Sequence, residues 1–415
     1  MNILCISKYA SPSKYGVAAR LFYLAKEFVK QGHTATLLTS DSNHLASYPV
    51  TDKACNREGI DGVDVVWFKN RKYKKTASIA RVLSWFSFEC SLFRYPKSKL
   101  GSPDIIIVSS LSLLSIIYGW YLKRHFKVPL IFEVRDIWPL TLVAEGGVSR
   151  WHPLTLFLSM IEKFGYRKAD LVVGTMPRLD KHVEKILGQP RPFFCSPLGF
   201  DEGVMKVRDV SEAPELDQYF PEGKTIVGYA GSMGISNNLD PFVDSIFALD
   251  REGDDFLHFV LVGAGDFRES FQDRLKHCSN VTFVPRIKAE KVPAFLNRCD
   301  ILYLSTHDSE VWDYGQSMNK VVEYMYAGKP IIATYSGFPS MIDEAGSGVY
   351  VKSEKTDELR GQLKKFGLMP RDERKLLGEK GREWIMSHRP YTVLAEEYVK
   401  EINKLVKGAD DEAFV

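Results

Sequence analysis

Ser317-Met318-Asn319-Lys320-Val321-Val322-Glu323-Tyr324-Met325-Tyr326-Ala327-Gly328-Lys329-Pro330 reads as a polar loop, a helix over 318–327 and, from Pro330 to Ala333, a strand. Gly328 suits the left-handed turn that stops the helix. Loop into helix into strand is the connection a parallel sheet needs. The start of such a helix carries free N–H groups and a partial positive charge, so it attracts phosphate. Lys320 adds charge in the first turn, and Glu323, about one turn on from Asn319, is spaced to reach a pair of ribose hydroxyls. An ordinary capped helix with a surface lysine and glutamate is the plainer reading of the same residues.

Working outward, the second half repeats the alternation. Strands are expected at Thr225 to Ala230, Leu257 to Val262, Val281 to Val284 and Ile301 to Leu304, with helices from Pro241, around Val292 to Leu296, and from Asp357 to Leu405 with breaks at Pro370 and Pro390. The first half does the same. Asn2 to Ser7, Thr34 to Thr39, Val63 to Phe68, Asp104 to Val108, Pro129 to Val134 and Asp170 to Gly174 read as strands. Leu21, Leu24, Ala25, Phe28 and Val29, then Leu113 to Arg124 and Phe157 to Tyr166, read as helices. Pro190 to Phe200, with three prolines and a glycine, reads as the junction. The expected fold class is therefore α/β, with two parallel-sheet domains in succession. Ligands of open α/β sheets bind outside the carboxyl ends of the strands. The loops at 8–16, 133–147, 231–239, 263–268 and 305–319 are thus the expected functional surface, facing one another across a cleft.

Length agrees, since 415 residues fit two domains of about 200 each. Hydrophobic residues at 45% and charged residues at 26% allow each half its own core, and a net charge of +3 leaves basic function to local clusters. The six cysteines show no metal-like spacing and read as reduced thiols. Met1-Asn2 runs straight into Ile3-Leu4-Cys5-Ile6, too short for a secretory signal, and no run of ~18 uncharged apolar residues marks a membrane span. A cytoplasmic protein, peripheral on the inner face of the plasma membrane, is expected.

The loop and helix at Tyr314-Gly315-Gln316-Ser317-Met318-Asn319-Lys320, followed by Glu323, Tyr324-Met325, Ala327 and Gly328-Lys329-Pro330, resemble retaining glycosyltransferase family 4 over nearly the whole chain. Within it they resemble the bacterial polysaccharide and O-antigen branch, which often has proline where this chain has Met318. The resemblance implies a GT-B fold of two Rossmann-like domains. It assigns the nucleotide ribose to Glu323. Many relatives carry a further glutamate eight residues earlier, where this chain has Gly315, whose backbone would then face the donor sugar. Tyr314, Ser317, Asn319 and Lys320 complete this side of the donor site.

Gly228-Tyr229-Ala230-Gly231-Ser232-Met233-Gly234 resembles the first loop of the nucleotide domain, with Gly231, Ser232 and Gly234 letting amides approach a diphosphate. Gly263 and Gly265 sit in the next strand-end loop. Arg286 is expected over the base, and the backbone of Ile287 at its edge. In the first half, Ser11 to Gly16 resembles a glycine loop, with Gly16 near the donor diphosphate. Glu133-Val134-Arg135-Asp136-Ile137-Trp138-Pro139 resembles the same branch. Glu133, Arg135 and Asp136 are the candidate catalytic residues, Asp136 as acid or base on the acceptor side, and Trp138 is placed to stack on a sugar. The alternative is a buried ion pair of Arg135 with Glu133 or Asp136.

Arg71 to Leu100 interleaves Arg71, Lys72, Lys74 and Lys75 with Trp85 and Phe86, a mixture suited to an anionic membrane surface or to a solvated face over a core helix. Ile116 to Phe126 is a second such candidate. No binding motif for nucleic acid accompanies the basic run. The domains are expected at 1–198 (acceptor), 199–385 (nucleotide-sugar) and 386–415 (a helix crossing back, then a tail). Together these imply a hexosyl- or N-acetylhexosaminyltransferase. It would move sugar, with retention, from a nucleotide-sugar, UDP-sugar favoured, to a saccharide acceptor expected to be polyprenyl-linked. No Asp-x-Asp clamp appears, so no metal is expected. A nucleotide-sugar epimerase on the same fold and an inactive nucleotide-sugar-binding protein are the alternatives.

Overall fold

The computed structural model describes residues 1–12, 15, 20–42, 49–73, 78–110, 112–209 and 213–413. The chain forms two compact units, one of residues 1–199 with 391–415, the other of residues 200–390.

Unit 1 begins with β1 (Asn2–Ile6), α1 (Arg20–Lys30), β2 (Thr34–Ser40), β3 (Cys55–Ile60), β4 (Val63–Phe68), α2 (Ile79–Arg94), β5 (Ile105–Ser109) and α3 (Ser115–Phe126). It continues with β6 (Leu130–Val134), α4 (Leu140–Ala144), α5 (Pro153–Lys168), β7 (Leu171–Gly174), α6 (Leu179–Leu187) and β8 (Phe193–Cys195). Among the described residues its sheet runs β3-β4-β2-β1-β5-β6-β7-β8. Every neighbouring pair is parallel except β3 with β4. The central strands are apolar on both faces because helices cover both, which is why they read as unbroken runs.

β3 and β8 do not stand out in the sequence. Cys-Asn-Arg-Glu-Gly-Ile is a polar string on an edge, held by pairing to β4 and by Arg57 Nε on Asp64 Oδ1 at 2.8 Å. β8 is three residues long and lies in the proline-rich stretch read as a junction.

Unit 2 comprises α7 (Glu202–Asp209), β9 (Thr225–Ala230), α8 (Asp240–Arg251), β10 (Leu257–Val262), α9 (Arg268–Arg274), β11 (Val281–Val284), α10 (Val292–Asn297) and β12 (Ile301–Ser305). Then come α11 (Asn319–Tyr326), β13 (Ile331–Thr334), α12 (Met341–Ala345), β14 (Gly348–Val351), α13 (Thr356–Leu368) and α14 (Arg371–His388). Its all-parallel sheet runs β11-β10-β9-β12-β13-β14. Two cores fill its faces, one under α10 and α11, the other under α8 and α13. The last helix, α15 (Tyr391–Ala413), belongs to unit 1, where it lies against α1. Tyr391 stacks on Tyr23 at 5.6 Å, and Tyr398 meets Phe28 edge-on at 5.7 Å.

Candidate active site

In unit 2 the strand order reverses between β9 and β12, so the loops after these strands flank the switch point, where open α/β sheets bind ligands. The loop after β9 is held by backbone zippering to the loop after β10. Gly231 N bonds Val262 O at 3.0 Å, Met233 N bonds Ala264 O at 2.9 Å, and Phe267 N bonds Met233 O at 3.1 Å. Approach this close demands glycine opposite. A Cβ on Gly263 would stand 1.7 Å from Gly231 O, and one on Gly265 2.4 Å from Met233 O. The loop after β12 is tied to the same place, with Ser305 donating to the Asn237 carbonyl and His307 N to Ser236 O at 3.4 Å.

α11 supplies the charge. Tyr324 pins it to the end of β9, its hydroxyl accepting from Ala230 N at 3.0 Å. Lys320 then points its Nζ at Asn237 Oδ1, 2.9 Å away, over the Tyr229 ring at 4.8 Å. A Cβ at Gly231 would fall 2.6 Å from that ammonium, so the glycine leaves the space beside the charge open. Burial lowers the Lys320 pKa to about 8, against a smaller opposing effect of Glu323. Met318, at the N-cap, makes no side-chain bond to the first turn, so the helix start lacks a side-chain cap. Ser232 and Arg286 are exposed, Ile287 is half-buried and packs on the core, and Glu323 lines a small recess with Met205, Val292, Leu296 and Tyr326.

Asn319 and Ser317 flank the helix start, and Tyr314 is buried beneath the loop. Gly315 has φ 93°, a conformation that a side chain makes costly.

In unit 1 the counterpart edge lies after β1, β5 and β6. Glu133 corrects the expectation of a catalytic role. It is inside β6, closed to solvent, and its Oε2 lies 3.4 Å from Nη2 of Arg20 on α1. Arg20 also donates to Ser196 Oγ at 2.8 Å, so the pair ties α1, β6 and the end of the sheet together. The buried partner is Arg20, not Arg135. Asp136, two residues beyond the strand, does open to solvent. Surrounding protein raises its pKa, while Arg135 and Arg81 pull it down. Trp138 is half-buried and meets Trp85 edge-on at 5.8 Å.

The membrane candidates divide. Trp85 is buried, with its Nε1 donating to Tyr9 at 3.0 Å, and is no surface residue. Lys72 is paired with Asp41 at 3.0 Å, whereas Arg71 and Phe86 are exposed. The exposed apolar stripe of α2 is instead Ile79, Leu83, Phe86 and Phe93, which share one helix face. Ile116 to Phe126 buries one face, with Ile116, Tyr118 and Leu122 in the core, and exposes Tyr121, Arg124 and His125 on the other. Gly16, Lys74 and Lys75 lie outside the described residues. Among the described residues no cluster of three metal-ligating side chains forms, and no helix is long and apolar enough to cross a membrane. A basic recess lined by Lys123, Arg124, Lys127, Asp170 and Lys404 opens at the amino-terminal edge of the sheet, opposite the strand ends that carry Asp136.

Lys8 and Tyr9 lie in the expected 8–16 loop and Arg81 in the basic stretch after Arg71, but sequence reading assigns them no role of their own and passes over Arg20. A charged residue just beyond a buried strand, as Lys8 is, was the available signal.

Two parallel α/β units, each with polar side chains gathered at the carboxyl edge of its sheet, make up a GT-B architecture, and the comparisons agree. The model of the glycosyl transferase 4-like domain matches residues 15–193, and that of glycosyl transferases group 1 matches 224–366, together well over half of the chain. The chain is a glycosyltransferase with the GT-B fold. Among solved structures it is similar to a sucrose-phosphate synthase from Thermosynechococcus elongatus (16% identity, TM-score 0.69, 98% of this chain and 100% of that one). It is also similar to a UDP-forming α,α-trehalose-phosphate synthase from Burkholderia vietnamiensis (12%, 0.72, 98% of each). A third is an E. coli protein of trehalose-6-phosphate bound with UDP-2-fluoro glucose (11%, 0.70, 97% and 99%). No curated protein matches the chain in sequence.

Proposed function

We propose that the chain transfers a hexosyl or N-acetylhexosaminyl group, with retention, from a UDP-sugar to a polyprenyl-linked saccharide at the inner face of the cytoplasmic membrane, in cell-surface polysaccharide synthesis. The observation that carries the donor half is Lys320, held over Tyr229 beside the bare backbone of Gly231. An ammonium and a helix start at one point neutralise a departing diphosphate without a metal. Glu323, one turn along, takes the ribose, and Arg286 with Ile287 takes the base. UDP is favoured because two of the structural relatives are described as UDP-forming or bound with a UDP-sugar. Asp136 is the acid or base on the acceptor side; its raised pKa keeps the carboxyl able to exchange a proton. The membrane half draws on the exposed stripe of α2 beside Arg71 and Arg94, apolar residues flanked by cations as an anionic lipid surface requires.

The test is a thermal-shift screen against UDP, GDP, ADP, CMP and their sugar conjugates, since a ligand of the folded state raises its apparent stability. A selective shift with UDP and one UDP-sugar is expected. No shift with any nucleotide sinks the donor assignment.

A further inference from the structure

The strand order of unit 1 reverses between β1 and β5, so the carboxyl ends of these strands form its own switch point. Cations and rings gather there. Lys8, two residues beyond β1, is closed to solvent; its Nζ donates to Ser42 O at 2.9 Å and lies 4.4 Å from the centre of the Tyr9 ring. The Tyr9 hydroxyl accepts from Trp85 Nε1 at 3.0 Å and meets the Tyr73 hydroxyl at 3.4 Å. Arg81, in the first turn of α2, is half open to solvent, 5.7 Å from the Trp85 ring and 6.0 Å from that of Trp138. Its charge reaches both Asp136 and Lys8.

Acids stand beside these cations. Asp41 is taken up by Lys72 at 3.0 Å. Glu89 accepts from Ser112 at 3.1 Å and Ser115 at 2.6 Å, and burial pushes its carboxyl up to about 7, so it is about half discharged at neutral pH. That leaves Asp136 facing Arg81 and Arg135, with Lys8 behind. Arg81 thus stands on an aromatic wall, where the local dielectric is low and a guanidinium draws an anion.

We propose that Arg81 binds a phosphoryl group carried by the acceptor, seating it against Trp138 and beside Asp136, while buried Lys8 fixes Tyr9 and Trp85 behind it and adds its field. The guanidinium fork takes two phosphoryl oxygens side by side. This rests on unit 1 being the acceptor side. The phosphoryl group has two possible sources, a water-soluble sugar phosphate and the diphosphate of a lipid-linked saccharide.

The experiment is calorimetric titration of the full chain, first saturated with UDP so that the donor site is filled. The probes are inorganic phosphate, glucose 6-phosphate, glucose, and farnesyl diphosphate in detergent. Phosphate-bearing probes bind and glucose does not. Arg81→Gln weakens them at least about tenfold, Arg81→Lys restores part of the loss, UDP affinity is unchanged in both, and a thermal melt matching the parent's shows that unit 1 of each variant is folded. Tighter farnesyl diphosphate assigns the lipid source, tighter glucose 6-phosphate the soluble one. Wild-type affinity of Arg81→Gln for the phosphates, or phosphates binding no better than glucose to the UDP-loaded chain, overturns the proposal. Failure of UDP itself to bind is a failure of the donor reading instead.

Discussion

At the scale of single residues, Lys320 sets a pH dependence of known sign. Its free-state pKa of about 8 lies below the usual lysine value because burial disfavours the ammonium. A bound diphosphate favours the ammonium and raises that pKa. Nucleotide affinity is therefore full below about 8 and falls, by at most tenfold per unit, as pH rises above it. The ligand-free chain behaves oppositely: the unfolded state holds the proton more firmly, so this residue adds stability as pH climbs from about 8 towards the ordinary lysine range. Titrations from pH 6.5 to 9.5 check both, and Lys320→Met abolishes the slope. Asp136→Asn is expected to lower turnover about 10²- to 10⁴-fold with nucleotide affinity unchanged, as read by initial rates beside calorimetry. Lys320 and Glu323 could be singled out because a contiguous string carries them. Glu133 was misread because its sequence does not reveal that it lies inside the strand against Arg20 from α1, whereas Asp136 lies beyond the strand's end. Lys8 and Arg81 were invisible as a pair, being brought together only by the sheet.

At the scale of elements, two features make predictions. The loops after β9 and β10 are zipped backbone to backbone. Gly263→Ala, which would drive a Cβ into Gly231 O, should therefore destabilise unit 2 by about 2 kcal/mol or more and weaken nucleotide binding with it. A thermal melt with and without nucleotide reads both. On α2, the pair Ile79→Glu and Phe86→Glu should reduce sedimentation with anionic liposomes while leaving the melting temperature near that of the parent. Trp85→Glu should lower the melting temperature instead, because Trp85 is packed on Tyr9. Equal sedimentation of parent and double variant would remove α2 from the membrane. The sequence made α2's mixture of cations and aromatics plain. Which face turned outward depended on Tyr9 and Trp138, distant in the chain. The long apolar strands were readable for the converse reason, since strands buried on both faces need no partner to be recognised.

At the scale of the whole molecule, unit 2 is one unbroken segment and unit 1 is not, because α15 returns to complete it. A protein of residues 200–390 alone is expected to fold cooperatively and to bind the nucleotide found by the screen within about tenfold of the full chain. Circular dichroism and calorimetry on that fragment decide it. Removing 391–415 from the full chain should instead uncover Tyr23 and Phe28 and lower the stability of unit 1 while leaving unit 2 unchanged. The same layout fixes an order of events during synthesis. Domains usually mature as they leave the ribosome, the first ahead of the second. Here the first-made half waits with an unfinished flank of α1 until the whole of unit 2 has been translated. Premature termination anywhere in the second half therefore yields a chain whose oldest part is the incomplete one, displaying apolar surface that chaperones and proteases recognise.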